Sequence, residues 1–108
     1  MSAQTWYVAM TKPAMEHVAA ARFHDKGYAV LYLHYRDYRK RDMMPVNRPY
    51  FPRYVFFGAG PDLGIYAARK TFGVADLVRY GGPGTLPVPV PEAVIDELRT
   101  NGVYINGS

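Results

Sequence analysis

The chain alternates short apolar runs with breaks marked by glycine, proline and charge, and the spacing inside each run assigns an element. Thr5–Met10 (TWYVAM) is rich in aromatic and β-branched residues and reads as a strand. Thr11 or Lys12 then caps a helix that Pro13 can start, because proline's missing N–H is harmless in a first turn. Met15, Val18, Ala19 and Phe23 recur at helical spacing, and Gly27 is a good stop. Tyr28–Tyr35 (YAVLYLHY) is the next strand, apolar on both sides and so expected inside a sheet with something packed on each face.

The pattern breaks over residues 36–53. Charge density, Met43-Met44-Pro45 and Pro49 argue against a regular element throughout, so this stretch reads as a long basic loop, with a hairpin as the alternative. Arg53–Phe57 is a third strand, ended by Gly58-Ala59-Gly60-Pro61. Asp62 is placed to cap a short helix, Leu63–Lys70, in which Gly64 is a weak point. Asp76–Tyr80 is a short strand, residues 81–84 a turn, and Leu86–Val90 is held extended by its prolines. Pro91 starts a last helix with Val94, Ile95 and Leu98 as its apolar stripe and Gly102 as its end. This order predicts an α+β fold: an antiparallel four-stranded sheet sandwiched with three helices, close to the split βαβ pattern, with the long basic loop between strands two and three. Residues 1–108 are expected to form a single domain, with residues 101–108 the start of a linker.

Composition narrows the chemistry. No cysteine is present, which removes disulfides, thiolate catalysis and cysteine-based zinc sites together. No apolar run approaches a membrane span, and the N-terminus lacks a signal-peptide pattern, so a cytoplasmic protein is expected. The net charge of +4 sits in one place: residues 36–53 hold six Arg/Lys and two Asp, while the other 90 residues balance at seven of each sign. That basic stretch runs into the aromatic Tyr50–Phe57, and the pairing points to a macromolecular partner, at least partly nucleic acid. Arg39, Lys40 and Arg41 are its densest cationic run. Alternation sends Val55 and Phe57 to one side of the third strand and Tyr54 and Phe56 to the other.

Catalysis is poorly supported. His17 and His24 lack a third metal ligand, and the carboxylates are scattered or sit at helix ends, where capping explains them. Gly81-Gly82-Pro83-Gly84 has no P-loop lysine and does not open a helix. No enzyme activity, cofactor, metal or small-molecule substrate is expected.

An ordered set of motifs carries a resemblance. Trp6-Tyr7-Val8 with Lys12-Pro13 opens the chain, then Gly27–Leu33, Arg39-Lys40-Arg41 and Pro49–Phe56 follow; Thr71–Val74, Leu77–Gly82 and Val88–Ile95 complete it. From about Thr5 to Arg99 the chain resembles the N-terminal domain of the NusG family of transcription elongation factors. Its Arg79–Gly82 run looks closer to specialised paralogues such as RfaH. The resemblance implies a factor that binds the clamp helices of bacterial RNA polymerase through a concave apolar patch, bridges to the gate loop and favours processive, antiterminating elongation. By position the patch would be Trp6, Val8, Met10, Phe51, Tyr54, Tyr80 and Ile95, although Trp6, Val8 and Ile95 read equally well as core. The gate-loop contact would fall at Gly64, Ile65 and Tyr66, where a His-Thr-Thr run of RfaH-like members is missing. Lys12, Arg22, Thr71 and Phe72 would meet the non-template DNA strand, with Phe72 where a polar residue or proline is expected. The family usually continues into a C-terminal barrel of the KOW type, which these 108 residues do not include. The alternative is an RNA- or single-stranded-DNA-binding module that uses the aromatic strand and the basic loop.

Overall fold

Two apolar layers form on opposite faces of one sheet because the strands alternate. A computed structural model describes residues 4–49, 51–79, 81 and 84–100. Strands β1 (Thr5–Thr11), β2 (Ala29–Leu31), β5 (Tyr54–Ala59) and β6 (Val74–Leu77) form a four-stranded antiparallel sheet in the order β2-β5-β1-β6. Helix α1 (Glu16–Lys26) and helix α2 (Ile65–Arg69) cover one face; helix α3 (Glu92–Thr100) lies against part of the other. Strands β3 (His34–Tyr38) and β4 (Pro45–Pro49) pair separately as a hairpin. The expected α+β architecture, with three helices and a four-stranded sheet, is the one present. Among the described residues no helix is long and apolar enough to cross a membrane.

The helix-covered core is aromatic. Phe23 of α1 stacks on Phe57 of β5 with ring centroids 4.8 Å apart, and Tyr28 meets both rings edge-on. Such offset and edge contacts suit the ring quadrupoles. Ala9, Val30, Val55 and Leu77 fill the space around them. The second layer is smaller, with Trp6, Leu31, Leu33 and Ile95 at its centre. Gly27 ends α1 at φ 100°, the left-handed cap its missing Cβ permits.

Several local expectations change. The basic stretch takes the hairpin alternative rather than the long loop: most of it is the β3–β4 hairpin, in which Tyr38 faces Pro45 and His34 faces Pro49. Both prolines sit at the ends of a strand in a two-stranded ribbon, where a missing N–H breaks no central ladder. The predicted strand Tyr28–Tyr35 is divided into β2 and the start of β3, and β2 lies at the sheet's edge although Val30 and Leu31 are buried on opposite faces. Gly58 and Ala59 continue β5 instead of ending it. Thr11 closes β1, Pro13 lies in a tight turn, and Met15 precedes α1 without a side-chain cap. Gly64, not Asp62, occupies the position before α2. The expected strand reaching Tyr80, the stop at Gly102 and the tail 101–108 lie wholly or partly outside the described residues.

Candidate functional site

Along β1 the side chains of Trp6, Val8 and Met10 point to the α3 face, and the register with β5 sets each against a partner: Trp6 opposite Gly58, Val8 opposite Phe56, Met10 opposite Tyr54. Helix α3 covers only one end of this row. Trp6 is 1% exposed and Ile95 0%, packed with Leu31 and Leu33 and flanked by Val90 and Leu98. These two residues therefore support the face from beneath and offer no surface of their own, which removes them from the contact set expected at its front. The other end stays open. Val8, Met10 and Phe56 are half-buried, and Tyr54 and Phe51 are 40% and 42% exposed. Phe51 meets Phe56 edge-on with centroids 6.2 Å apart. The result is an apolar patch of five side chains, four on β1 and β5 and Phe51 in the turn before β5.

Of the expected patch, then, the fold brings Val8, Met10, Phe51 and Tyr54 together. Tyr80 lies outside the described residues. Phe56 belongs to the patch but was not among its expected members; the alternation of Tyr54 and Phe56 against Val55 and Phe57 was the signal for it.

The basic run forms the tip of the hairpin. Arg39 makes a two-pronged pair with Asp42 (3.2 and 2.9 Å), and Arg48 pairs with Asp37 at 2.9 Å. Lys40 and Arg41 are exposed and have no acidic partner among the described residues. Tyr38, Met43 and Met44 are exposed beside them. Arg39 and Arg48 of the hairpin are thus paired with carboxylates, while Lys40 and Arg41 present their charge at the tip.

A second cationic surface lies on the α1 side. The Arg22 guanidinium sits over the exposed ring of Phe72, 5.4 Å from its centroid. Exposed Lys12 is tied to the same corner because its N–H donates to the carbonyl of Gly73 at 2.9 Å. Thr71 differs from its neighbours. It is 3% exposed, its hydroxyl donates to the Ala67 carbonyl (3.1 Å) and accepts from Lys26 Nζ (3.0 Å). Thr71 fastens the end of α2 to α1 and is withdrawn from direct contact.

At the start of α2, Gly64 contributes backbone: its carbonyl accepts the Tyr28 hydroxyl at 2.7 Å. Burial of that hydroxyl pushes the Tyr28 pKa above the ordinary phenol value. Ile65 rests on the core, while Tyr66 is exposed with the Lys70 ammonium 5.1 Å from its ring. Ile65 and Tyr66 line an open cleft of about 350 Å³ with Leu77, Leu86 and Pro87. Beside the cleft, Asp76 is held below the usual carboxylate range. The Leu77 N–H it accepts at 2.8 Å is the main cause, opposed by partial burial and reinforced by Arg79 (2.8 Å) and Arg69 (3.4 Å).

Among the described residues no three His, Asp or Glu side chains gather as metal ligands, and His17 and His24 both face solvent. The arrangement is one of surfaces: an apolar patch on one sheet face and cationic groups at a hairpin tip and on α1. Residues 4–99 match the family model described as transcription termination factor nusG. No curated protein sequence matches the chain.

Proposed function

The chain belongs to the NusG family, as its N-terminal domain, and from that premise we propose that the open half of its sheet docks on the clamp helices of RNA polymerase. The family is one of transcription factors that interact with RNA polymerase, not of enzymes. The observation that carries the reading is the unequal cover of one sheet face. Helix α3 seals Trp6, while Val8, Met10, Phe51, Tyr54 and Phe56 remain accessible as one patch. Tyrosine and phenylalanine of this kind serve as anchors at protein interfaces, and contiguous exposed apolar groups mark such interfaces.

The rest of the surface fits the same pose. Tyr66 and the cleft beside it would take the gate loop across the main channel. Lys12, Arg22 and Phe72 would meet the non-template strand, two cations on phosphates and one ring against a base. Arg39, Lys40 and Arg41 would add a further contact to nucleic acid. By holding two polymerase modules in one relative position, the domain would favour the processive conformation and oppose pausing and termination; it can do so only by binding that conformation better than others.

The test is retention of the wild-type chain by core RNA polymerase, compared with a Tyr54→Ala/Phe56→Ala double variant that remains folded. Loss of retention in the double variant supports the docking face. A wild-type chain that ignores polymerase but binds a single-stranded oligonucleotide tightly would turn the reading to the nucleic-acid module of aromatic strand and basic hairpin, which the exposure of Tyr54, Lys40 and Arg41 favours.

A further inference from the structure

The turn that presents two of the patch rings is held in an unfavoured geometry by a buried carboxylate. Phe51-Pro52-Arg53-Tyr54 closes with the Tyr54 N–H donating to the Phe51 carbonyl at 3.0 Å. Proline stands second, and Arg53 stands third at φ 73°. These are the marks of a type II turn, whose third position favours glycine or asparagine. A type I turn would join the same ends with Arg53 at negative φ, and the two differ by a flip of the Pro52–Arg53 peptide. The flip reverses the direction of the Arg53 N–H. Here that N–H donates to Glu16 Oε2 at 2.8 Å. Glu16 is the first residue of α1 and is buried. Arg53 is tied twice more to the end of β1: its Nε donates to the Thr11 carbonyl at 3.0 Å, and its own carbonyl accepts the Thr11 N–H at 2.7 Å.

We propose that Glu16 is a positioning residue for the docking face: its carboxylate fixes the Pro52–Arg53 peptide in the orientation that places Phe51 against Phe56 and Tyr54 opposite Met10. The inference rests on the docking role proposed above. Glu16 touches no partner. It acts through one amide, from the helix-covered side of the sheet, on rings that emerge on the other. A charged acceptor is suited to the task because hydrogen bonds to ionised groups are stronger than neutral ones. Arginine is suited to the third position because its side chain supplies a tether that glycine lacks, and the left-handed backbone is tolerated only while those bonds hold.

Three variants decide the matter: Glu16→Ala, Glu16→Gln and Glu16→Ala/Arg53→Gly. Each is followed by the nuclear Overhauser contact between the Phe51 and Phe56 rings and by affinity for core RNA polymerase. Glu16→Ala is expected to lose the ring contact and bind about tenfold more weakly, the order of effect of one charged hydrogen bond. Glu16→Gln keeps an acceptor oxygen without the charge, so it should keep the ring contact and bind between wild type and Glu16→Ala. The double variant should recover the ring contact and most of the affinity, because glycine adopts φ 73° unaided. A residue that merely stabilised α1 would not be rescued by deleting a second side chain. The proposal falls if Glu16→Ala keeps the ring contact, whatever its affinity, if it loses the contact without weakening binding, or if Arg53→Gly fails to restore both. Should Glu16→Ala not fold, restored folding in the double variant supports the proposal and a second unfolded protein overturns it. A wild-type chain that polymerase does not retain would sink the docking role alone, and the ring contact would still decide whether Glu16 sets the turn.

Discussion

Trp6 and Phe51 separate support from contact. Both are aromatic, both come from segments flanking the same sheet face, and one is sealed while the other is 42% exposed. Replacing Trp6 by alanine empties a site between Leu31, Leu33 and Ile95, and a buried aromatic lost this way typically costs about 3–5 kcal/mol. Trp6→Ala should therefore melt far below wild type, and its failure to bind polymerase would follow from unfolding. Phe51→Ala removes a half-exposed ring, and its effect on stability should stay within about 1 kcal/mol. If the ring is an interface anchor, its loss should weaken polymerase binding by about 2 kcal/mol, or thirtyfold, at unchanged melting temperature. Thermal melts beside binding isotherms check both halves. The family resemblance grouped Val8, Met10 and Tyr54, and alternation set Tyr54 and Phe56 on one side of β5, but nothing in the spacing of apolar residues told how far α3 extends over that row. That boundary, between Trp6 and Val8, is a tertiary fact. So is the burial of Thr71, which the resemblance put at the non-template strand and whose hydroxyl instead closes a helix end.

Elements whose hydrophobic period is long and regular were legible: α1, α3 and the strands β1 and β5. The β3–β4 hairpin was legible only as an alternative to a loop, because its cross-strand pairs mix charge, proline and isolated apolar residues (Tyr35 with Arg48, Asp37 with Val46, Tyr38 with Pro45) and no regular period of two announces it. Its pairing rests on backbone bonds and on Arg48–Asp37, an interaction invisible to local pattern because the two residues lie on opposite strands. The starts of α1 and α2 were misread for a related reason: Thr11 and Asp62 have capping side chains, but the chain turns through Pro13-Ala14 and through Gly64 before either helix begins. The junction of α2 with β6 yields a prediction at this level. Asp76 of β6 is paired with Arg69 of α2 and with Arg79. Its carboxyl pKa is depressed in the folded chain, so the stabilisation is present above the unfolded value of about 3.9 and lost as pH falls through the lower folded value. Asp76 is partly exposed, and solvent screening limits the ion-pair contribution to about 1 kcal/mol at most. Wild type should melt slightly above Asp76→Asn at neutral pH, and the gap should close as pH drops below about 4. A gap that persists at low pH would show that the carboxylate's charge is not what links the two elements.

For the molecule as a whole, charge and apolar surface are divided, and the division predicts how binding should respond to salt. The net charge of +4 is carried by the segment from Arg36 to Arg53, most of it in a hairpin that is not part of the four-stranded sheet. The apolar patch draws on β1, β5 and the turn before it. If docking on polymerase is apolar and nucleic-acid contact is ionic, the two contributions should separate. Binding to core polymerase alone should change little with ionic strength, since apolar burial is not screened. Binding to an elongation complex with exposed DNA should gain affinity at low salt, because cations on phosphates release condensed counterions. Changing Arg39, Lys40 and Arg41 together to alanine should then lower the slope of log affinity against log salt by about 2 to 3, from roughly 0.7 to 0.9 per phosphate contact. The same variant should lose almost no stability, because the one ion pair these three make among the described residues, Arg39 with Asp42, is exposed and contributes about 0–1 kcal/mol. A slope identical to wild type would place the nucleic acid on the α1 side, over Lys12, Arg22 and Phe72. A steep slope on core polymerase without DNA would mean that the hairpin, and not the sheet, provides the docking surface.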